Sequence, residues 1–198
     1  LAEGSIVGTS SLRRQAQVLH AFPALKVEPL RGNVDTRIRK LQDGQYDAII
    51  LAAAGVKRLD LQKHITESLP FGIMLPAVGQ GALALETRSN DANTIEAINQ
   101  LAHADTRDAV LAERSLLREL EGGCRAPIGA HGRIEGDTLF LDAFVAVPDG
   151  SRLVRKTIHS ERNQAEASGI ALARTLKNHG AQEILQELTR EERKPQHG

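Results

Sequence analysis

Arg13 and Arg14, Arg31 and Arg37, and Lys57 and Arg58 recur where short strand-like runs give way to helical ones. One cysteine, Cys124, sits in the run Glu121-Gly122-Gly123-Cys124-Arg125. A guanidinium can grip a carboxylate or phosphate with two parallel hydrogen bonds. A thiol in a glycine-rich loop can be presented to a neighbouring surface as a nucleophile. Arginine supplies 18 of the 25 basic residues, a bias that suits anion capture.

The arginines break a local rule. Arg13 and Arg14 fall in the first turn of a predicted helix, where facing the positive end of the dipole costs roughly 0.3–1 kcal/mol per cation. Two guanidinium groups about 6 Å apart repel by a further ~0.7 kcal/mol in water. An anion reverses the balance, because a charge-assisted hydrogen bond contributes about 1.5–3 kcal/mol. The Ser10 and Ser11 hydroxyls and the free helix N–H groups would add donors. Any single arginine reads as a solvated surface charge. The set, at matching points of successive units, reads as an anion site. Cys124 stays open between two roles. A free cysteine is usually a small buried hydrophobe, and the end of a helix disfavours a thiolate.

The elements that position these residues follow from periodicity. Ser5–Gly8, Leu25–Leu30 and Tyr46–Leu51 read as strands. Helices follow each: Leu12–His20 with Leu12, Ala16 and Leu19 on one face, then one striped by Val34, Ile38 and Leu41, then a short one through Leu59. This β-α-β-α-β-α rhythm predicts a parallel sheet, and open α/β sheets bind ligands at the carboxyl ends of their strands. The Pro- and Gly-rich stretch Leu69–Gly81 reads as a domain crossing, with Ala82–Glu86 as one further strand. Helices are predicted over Asp91–His103 and Thr106–Leu120, strands over Ile128–Ile134, Thr138–Val147 and Leu153–His159, and one long helix over Gln164–Leu188. The expected fold class is α/β: a parallel-rich βα domain, like a lobe of the periplasmic binding proteins, followed by a small α+β domain with a three-stranded antiparallel sheet.

Composition narrows the functions. The 198 residues carry 25 basic and 25 acidic side chains, for a net charge of zero, which argues against nucleic acid or an anionic membrane as partner. Residues 1–75 hold 10 basic against 7 acidic groups, net +3, so the rim is a local feature. The longest apolar run, Ala48–Val56, is too short to span a bilayer. One cysteine excludes an internal disulfide framework, and no Cys/His spacing fits a metal site. Gly79-Gln80-Gly81 is too short for a phosphate loop, and the seven histidines are scattered.

The motifs together resemble porphobilinogen deaminase, also called hydroxymethylbilane synthase. They are Gly8-Thr9-Ser10-Ser11-Leu12-Arg13-Arg14, Leu30-Arg31-Gly32-Asn33-Val34 with Thr36-Arg37, and Asp47-Ala48-Ile49-Ile50-Leu51-Ala52-Ala53-Ala54-Gly55 with Arg58. Leu75-Pro76-Ala77-Val78-Gly79-Gln80-Gly81-Ala82 comes next, then Leu120-Glu121-Gly122-Gly123-Cys124 with Pro127-Ile128-Gly129. The resemblance implies a transferase of haem and tetrapyrrole biosynthesis. It condenses four porphobilinogen units head to tail into linear hydroxymethylbilane, releasing an ammonia per unit. The primer is a dipyrromethane cofactor held by a thioether to the motif cysteine, which matches Cys124. Loss of ammonia leaves a soft azafulvene electrophile, for which sulfur is a fitting nucleophile. Ser11, Arg13, Arg14, Arg31, Arg37 and Arg58 match positions that bind the acetate and propionate groups of the pyrroles.

The resemblance further implies that residues 1–75 are most of a second domain. Residues 76–103 would be the crossover and the returning piece of a first domain, and 104–198 the third domain with the cysteine. The chain begins at Leu1, and most of the family's first domain, with its catalytic aspartate, precedes the matched part. No carboxylate here matches that aspartate. Asp35, Asp47 and Asp60 lie near the rim and read as structural or solvated. The apolar face of the returning piece (Leu83, Leu85, Ile95, Ile98) is expected to be exposed. The parent is expected to be monomeric and cytoplasmic, and these residues alone inactive. The alternative is a non-catalytic module that binds carboxylates reversibly.

Overall fold

The computed structural model describes residues 1–120 and 126–192, which form a mixed α/β structure with two three-stranded sheets. The first sheet is parallel, in the order β2-β1-β3: β1 (Ile6–Gly8), β2 (Lys26–Glu28) and β3 (Ala48–Ile49). Val7 pairs with Val27 on one side and Ala48 on the other. Helices α1 (Leu12–Ala21), α2 (Val34–Gln42) and α3 (Ala53–Arg58) leave from the carboxyl ends of these strands. Ser11 caps α1 by accepting the Arg14 N–H, and Asn33 caps α2 by accepting the Thr36 N–H at 2.9 Å. Gly32 lies between β2 and α2 at φ +122°, a conformation that costs glycine little and other residues much.

The second sheet is antiparallel, in the order β4-β5-β6: β4 (Ile128–Glu135), β5 (Thr138–Ala146) and β6 (Leu153–Glu161). Three helices cover one face: α5 (Ala104–Leu120), α6 (Ala165–Leu176) and α7 (Gln182–Glu192); a separate short helix, α4 (Ala92–Asn99), precedes them. Strand β5 alternates as a half-buried strand should, with Leu139, Leu141, Ala143 and Val145 facing α5 and α6 in the main core. Its opposite face turns Phe144 and Ala146 toward α1, where they meet Ala16 and Leu75.

Several expectations needed correction. Ala82–Glu86 forms no strand, because no neighbouring strand supplies a ladder; Leu83 is 98% exposed and Leu85 58% exposed. Ile95 and Ile98 of α4 are half-buried rather than open. The predicted long helix is broken: a wide π turn at Lys177–Ala181 separates α6 from α7, with Gly180 at φ +107°. That turn sends Ala181, Ile184 and Leu185 into the core. The buried face of α1 is Arg13, Ala16 and Gln17 (with Val18), whereas Leu12 and Leu19 are only half-buried.

Helices α5 and α6 cross closely where Gly169 faces Ser115 and Ala112. A Cβ at residue 169 would overlap the Ser115 hydroxyl and the Ala112 carbonyl. Gly169→Ala is therefore expected to cost about 1–3 kcal/mol, the usual range for overpacking. The urea midpoint should fall with an unchanged slope; an unchanged midpoint would show that the crossing can open at no cost.

Candidate functional site

At the rim, Arg14 is half-buried and its Nη1 donates to the Ile50 carbonyl, just past β3, at 2.8 Å. Arg37 donates from Nε to the Gly32 carbonyl at 2.8 Å, and its two terminal nitrogens make no hydrogen bond to the chain's own groups among the described residues. Arg31 and Arg58 are exposed. The Ser11 oxygen accepts the Arg14 N–H at 3.4 Å, so its hydroxyl hydrogen can still be donated. Ser10 donates to the Leu30 carbonyl at 2.9 Å and braces the loop after β2. The structure thus brings Ser11, Arg14 and Arg37 together and sets Arg31 in the loop at the same end of the sheet, while Arg58 lies at the far end of α3.

Two placements differ from expectation. Lys57 and Arg58 lie in the last turn of α3, where the helix dipole favours cations. The six residues of α3 span about 9 Å, which sets Arg58 one short helix away from the carboxyl end of β3. Asp47 lies at the opposite end of the sheet, since it precedes β3 and accepts the Ile6 N–H at 2.7 Å. Asp35 and Asp60 are exposed.

Arg13 turns away from solvent. Only 9% exposed, it donates from Nη1 to the Leu75 carbonyl and from Nη2 to Gln80 Oε1 at 2.9 Å. Burial, then the neighbouring Arg14 charge, pushes its pKa down to about 10, which leaves it charged at neutral pH. Arg14 is lowered as well, first by burial and then by the charge of Arg37. These guanidinium groups therefore feel one another with no counter-charge nearby among the described residues. All nine ion pairs among the described residues lie between residues 105 and 187 and engage Arg107, Arg118, Arg133, Arg152, Arg155, Arg162 and Arg174. None involves Arg13, Arg14, Arg31, Arg37 or Arg58.

Cys124 and Arg125 lie outside the described residues. Their flanks approach the rim through the crossing segment: the Ala130 N–H donates to the Pro76 carbonyl at 3.1 Å, one residue beyond the Leu75 carbonyl that Arg13 holds. Leu120, at the end of α5, and Pro127 are both buried.

Residues 1–96 match the family model described as "Porphobilinogen deaminase, dipyromethane cofactor binding domain", and residues 108–178 match "Porphobilinogen deaminase, C-terminal domain". The chain is 53% identical over 188 residues to the porphobilinogen deaminase of Synechococcus sp. (strain CC9605), covering 95% of the chain and 59% of that protein. The chain belongs to the porphobilinogen deaminase family. Porphobilinogen deaminases from Nitrosomonas europaea and Geobacter metallireducens are 52% and 50% identical, over 93% and 97% of the chain. The chain spans about 60% of the length of these relatives.

Among the described residues, no group of three His, Cys, Asp or Glu side chains could hold a metal ion, and no helix is long and apolar enough to cross a membrane. Around its rim this deaminase-family chain has three further polar residues: Gln17 and Glu113, which lie outside the motifs, and Gln80, which stands in the Leu75–Ala82 motif but had no role assigned to it. Gln17 is buried on α1, where Oε1 accepts the Leu75 N–H at 2.7 Å and Nε2 donates to the Leu75 carbonyl at 3.1 Å. Gln80 Oε1 accepts from Ala77 N–H as well as from Arg13. Glu113 is buried on α5. The available signal was position: Gln17 lies one turn after Arg13, and Glu113 interrupts an apolar face formed by Ala109, Ala112, Leu116 and Leu120.

Replacing Gln17 by Leu leaves the buried Leu75 N–H without its acceptor, a loss of about 1–3 kcal/mol. At this chain length that lowers the melting temperature by about 2–4 °C per kcal/mol. An unchanged melting curve would mean that the crossing segment holds its place without Gln17.

Proposed function

We propose that this chain supplies the oligopyrrole-binding rim and the cofactor cysteine of an enzyme that joins four porphobilinogen units into linear hydroxymethylbilane, with loss of one ammonia per unit. The arginines at the carboxyl ends of β1–β3, unpaired among the described residues, carry this reading. In a chain whose other region neutralises arginine after arginine, five left without carboxylates await an external anion. Porphobilinogen and its oligomers carry an acetate and a propionate on every ring, so each added unit brings two more negative charges.

The residues present fit a dipyrromethane. Arg14, Arg31, Arg37 and Arg58 would bind its carboxylates, with the Ser11 hydroxyl as a further donor. Arg13 has N–H groups left over after serving Leu75 and Gln80, and can add to the same set. When bound through a thioether to Cys124, the dipyrromethane offers the pyrrole end to which the next unit is joined. The arginines orient the chain and compensate its growing charge, and the neutral loop carbonyls that hold Arg14 and Arg37 fix where those charges point.

In domain terms, residues 1–75 are most of a βα domain of the kind found in lobes of periplasmic binding proteins. Residues 76–103 are the crossover and a returning segment of another domain, and 104–198 the domain that carries the cysteine. A monomeric cytoplasmic enzyme suits a chain whose single thiol must stay free of disulfides. The family's proton-handling aspartate matches none of these 198 residues, so by themselves they do not turn over substrate.

An active protein carrying this sequence should show a two-pyrrole mass adduct on Cys124, and Cys124→Ser should abolish both adduct and activity. Full activity in Cys124→Ser would overturn the attachment role, and reversible carboxylate binding with no covalent pyrrole would favour a non-catalytic anion-binding module. The 198 residues alone, given porphobilinogen, are expected to form no linear tetrapyrrole by absorbance after oxidation; measurable product would refute their inactivity.

A further inference from the structure

Glu113 is 5% exposed and has no cation beside it among the described residues. Its Oε2 accepts the Gly79 N–H at 2.6 Å, and its Oε1 accepts the Gly132 N–H at 2.7 Å. Burial raises its pKa above the ordinary carboxylate value, against the opposing pull of those two bonds. A desolvated carboxylate is a costly way to close a helix against a loop. The geometry supplies the reason for it. Two N–H groups converge from different elements, and a carboxylate is the side chain whose two oxygens can both accept; a glutamine offers one acceptor and a donor.

The bonded partners make a chain of contacts. Gly79 lies one residue before Gln80, whose side chain receives Arg13 from the rim. Gly132 lies on β4, which packs so closely on α5 that a Cβ there would stand 2.9 Å from the Ala109 carbonyl. The other end of the crossing segment is held at Leu75 by Gln17 and Arg13, and at Pro76 by the Ala130 N–H. Helix α5 itself ends at Leu120, four residues before Cys124.

We propose that Glu113 is a positioning residue: through Gly79, Gln80 and Arg13 it fixes the helix that leads into Cys124 at a set distance from the arginine rim. This rests on the reading that Cys124 bears the pyrrole chain that the rim holds. A displacement of about 1 Å between such parts can cost on the order of 100-fold in rate, which gives a buried carboxylate a use beyond stability.

The test measures the distance itself and does not involve the cofactor. In the 198-residue protein with Cys124→Ser, nitroxide labels at Gln45→Cys and Arg114→Cys report the separation of the βα region from α5 by pulsed electron resonance; both positions are exposed. Glu113→Gln should shift the mean by about 1 Å or more, or broaden a narrow distribution, at temperatures where the protein is fully folded by circular dichroism. Gln80→Ala, at an exposed side chain that lies outside both cores, should move it in the same sense. An unchanged distribution in both variants, with only a lower melting temperature for Glu113→Gln, would overturn the proposal. Should Glu113→Gln fail to fold, Gln80→Ala alone decides on the same criterion. Because no pyrrole takes part, an unchanged distance refutes the positioning role without touching the cofactor reading, and a missing adduct on Cys124 in the mass measurement does the converse.

Discussion

Arg13 and Arg14 are neighbours in sequence, share the first turn of a helix, and have no carboxylate beside them among the described residues. Repulsion, desolvation and the helix dipole all weigh against that arrangement. The fold resolves the strain by sending the two side chains in different directions, and much of the surrounding structure depends on where each one goes. Arg14 reaches across the top of the sheet to the Ile50 carbonyl, just past β3, and remains half-buried. Arg13 goes inward and is satisfied by the backbone and the glutamine of the crossing segment. One guanidinium thus lies at the end of the parallel sheet while its neighbour fastens the βα region to the segment between Leu75 and Gln80.

That segment is the mechanical counterpart of the division. Leu75 to Gln80 has no regular secondary structure to satisfy its backbone, so side chains and strands of three other elements do so: Gln17 and Arg13 from α1, Ala130 from β4 and Glu113 from α5. An irregular segment in this position would be expected to be mobile if it lay in solvent. Here its polar groups are met from both sides, by α1 on one and by β4 and α5 on the other. Phe71, just before it, stacks on His131 of β4 with ring centroids 3.8 Å apart, and Arg155 of β6 donates to the Gly72 carbonyl at 2.7 Å.

Much of this was legible in the residues, for reasons that differ by element. The order of βα units and the three antiparallel strands came from alternation and turn residues, because Leu139, Leu141, Ala143 and Val145 announce a half-buried strand. Arg13 and Arg14 stood out as charges placed against the helix dipole, whereas Lys57 and Arg58 lie in the last turn of α3, where the dipole favours them. What periodicity could not convey was which face of α1 would be buried, because that face is covered by the crossing segment, and its contacts are polar. Leu12, Ala16 and Leu19 make the apolar stripe, yet Arg13 and Gln17 are more buried than either leucine. The strand expected at Ala82–Glu86 has the right residues and no partner, a property of the surroundings and not of the segment. The kink at His179–Gly180 was missed because one glycine within a long apolar-periodic run is compatible with an unbroken helix until packing demands otherwise.

Strand β5 separates two interiors. Its odd-numbered residues from Leu139 to Val145 belong to the helix-covered core, while Phe144 and Ala146 belong with Ala16 and Leu75 to the smaller cluster beneath α1. The parallel sheet has strands of only two or three residues and little apolar area of its own. It therefore borrows a wall from the antiparallel sheet. The stabilities of the two regions are then coupled: loosening Phe144 or Ala146 weakens the packing of α1 as well as that of β5. Any anion that bound the arginines of α1 would by mass action stabilise β5 along with them, through Phe144 and Ala146.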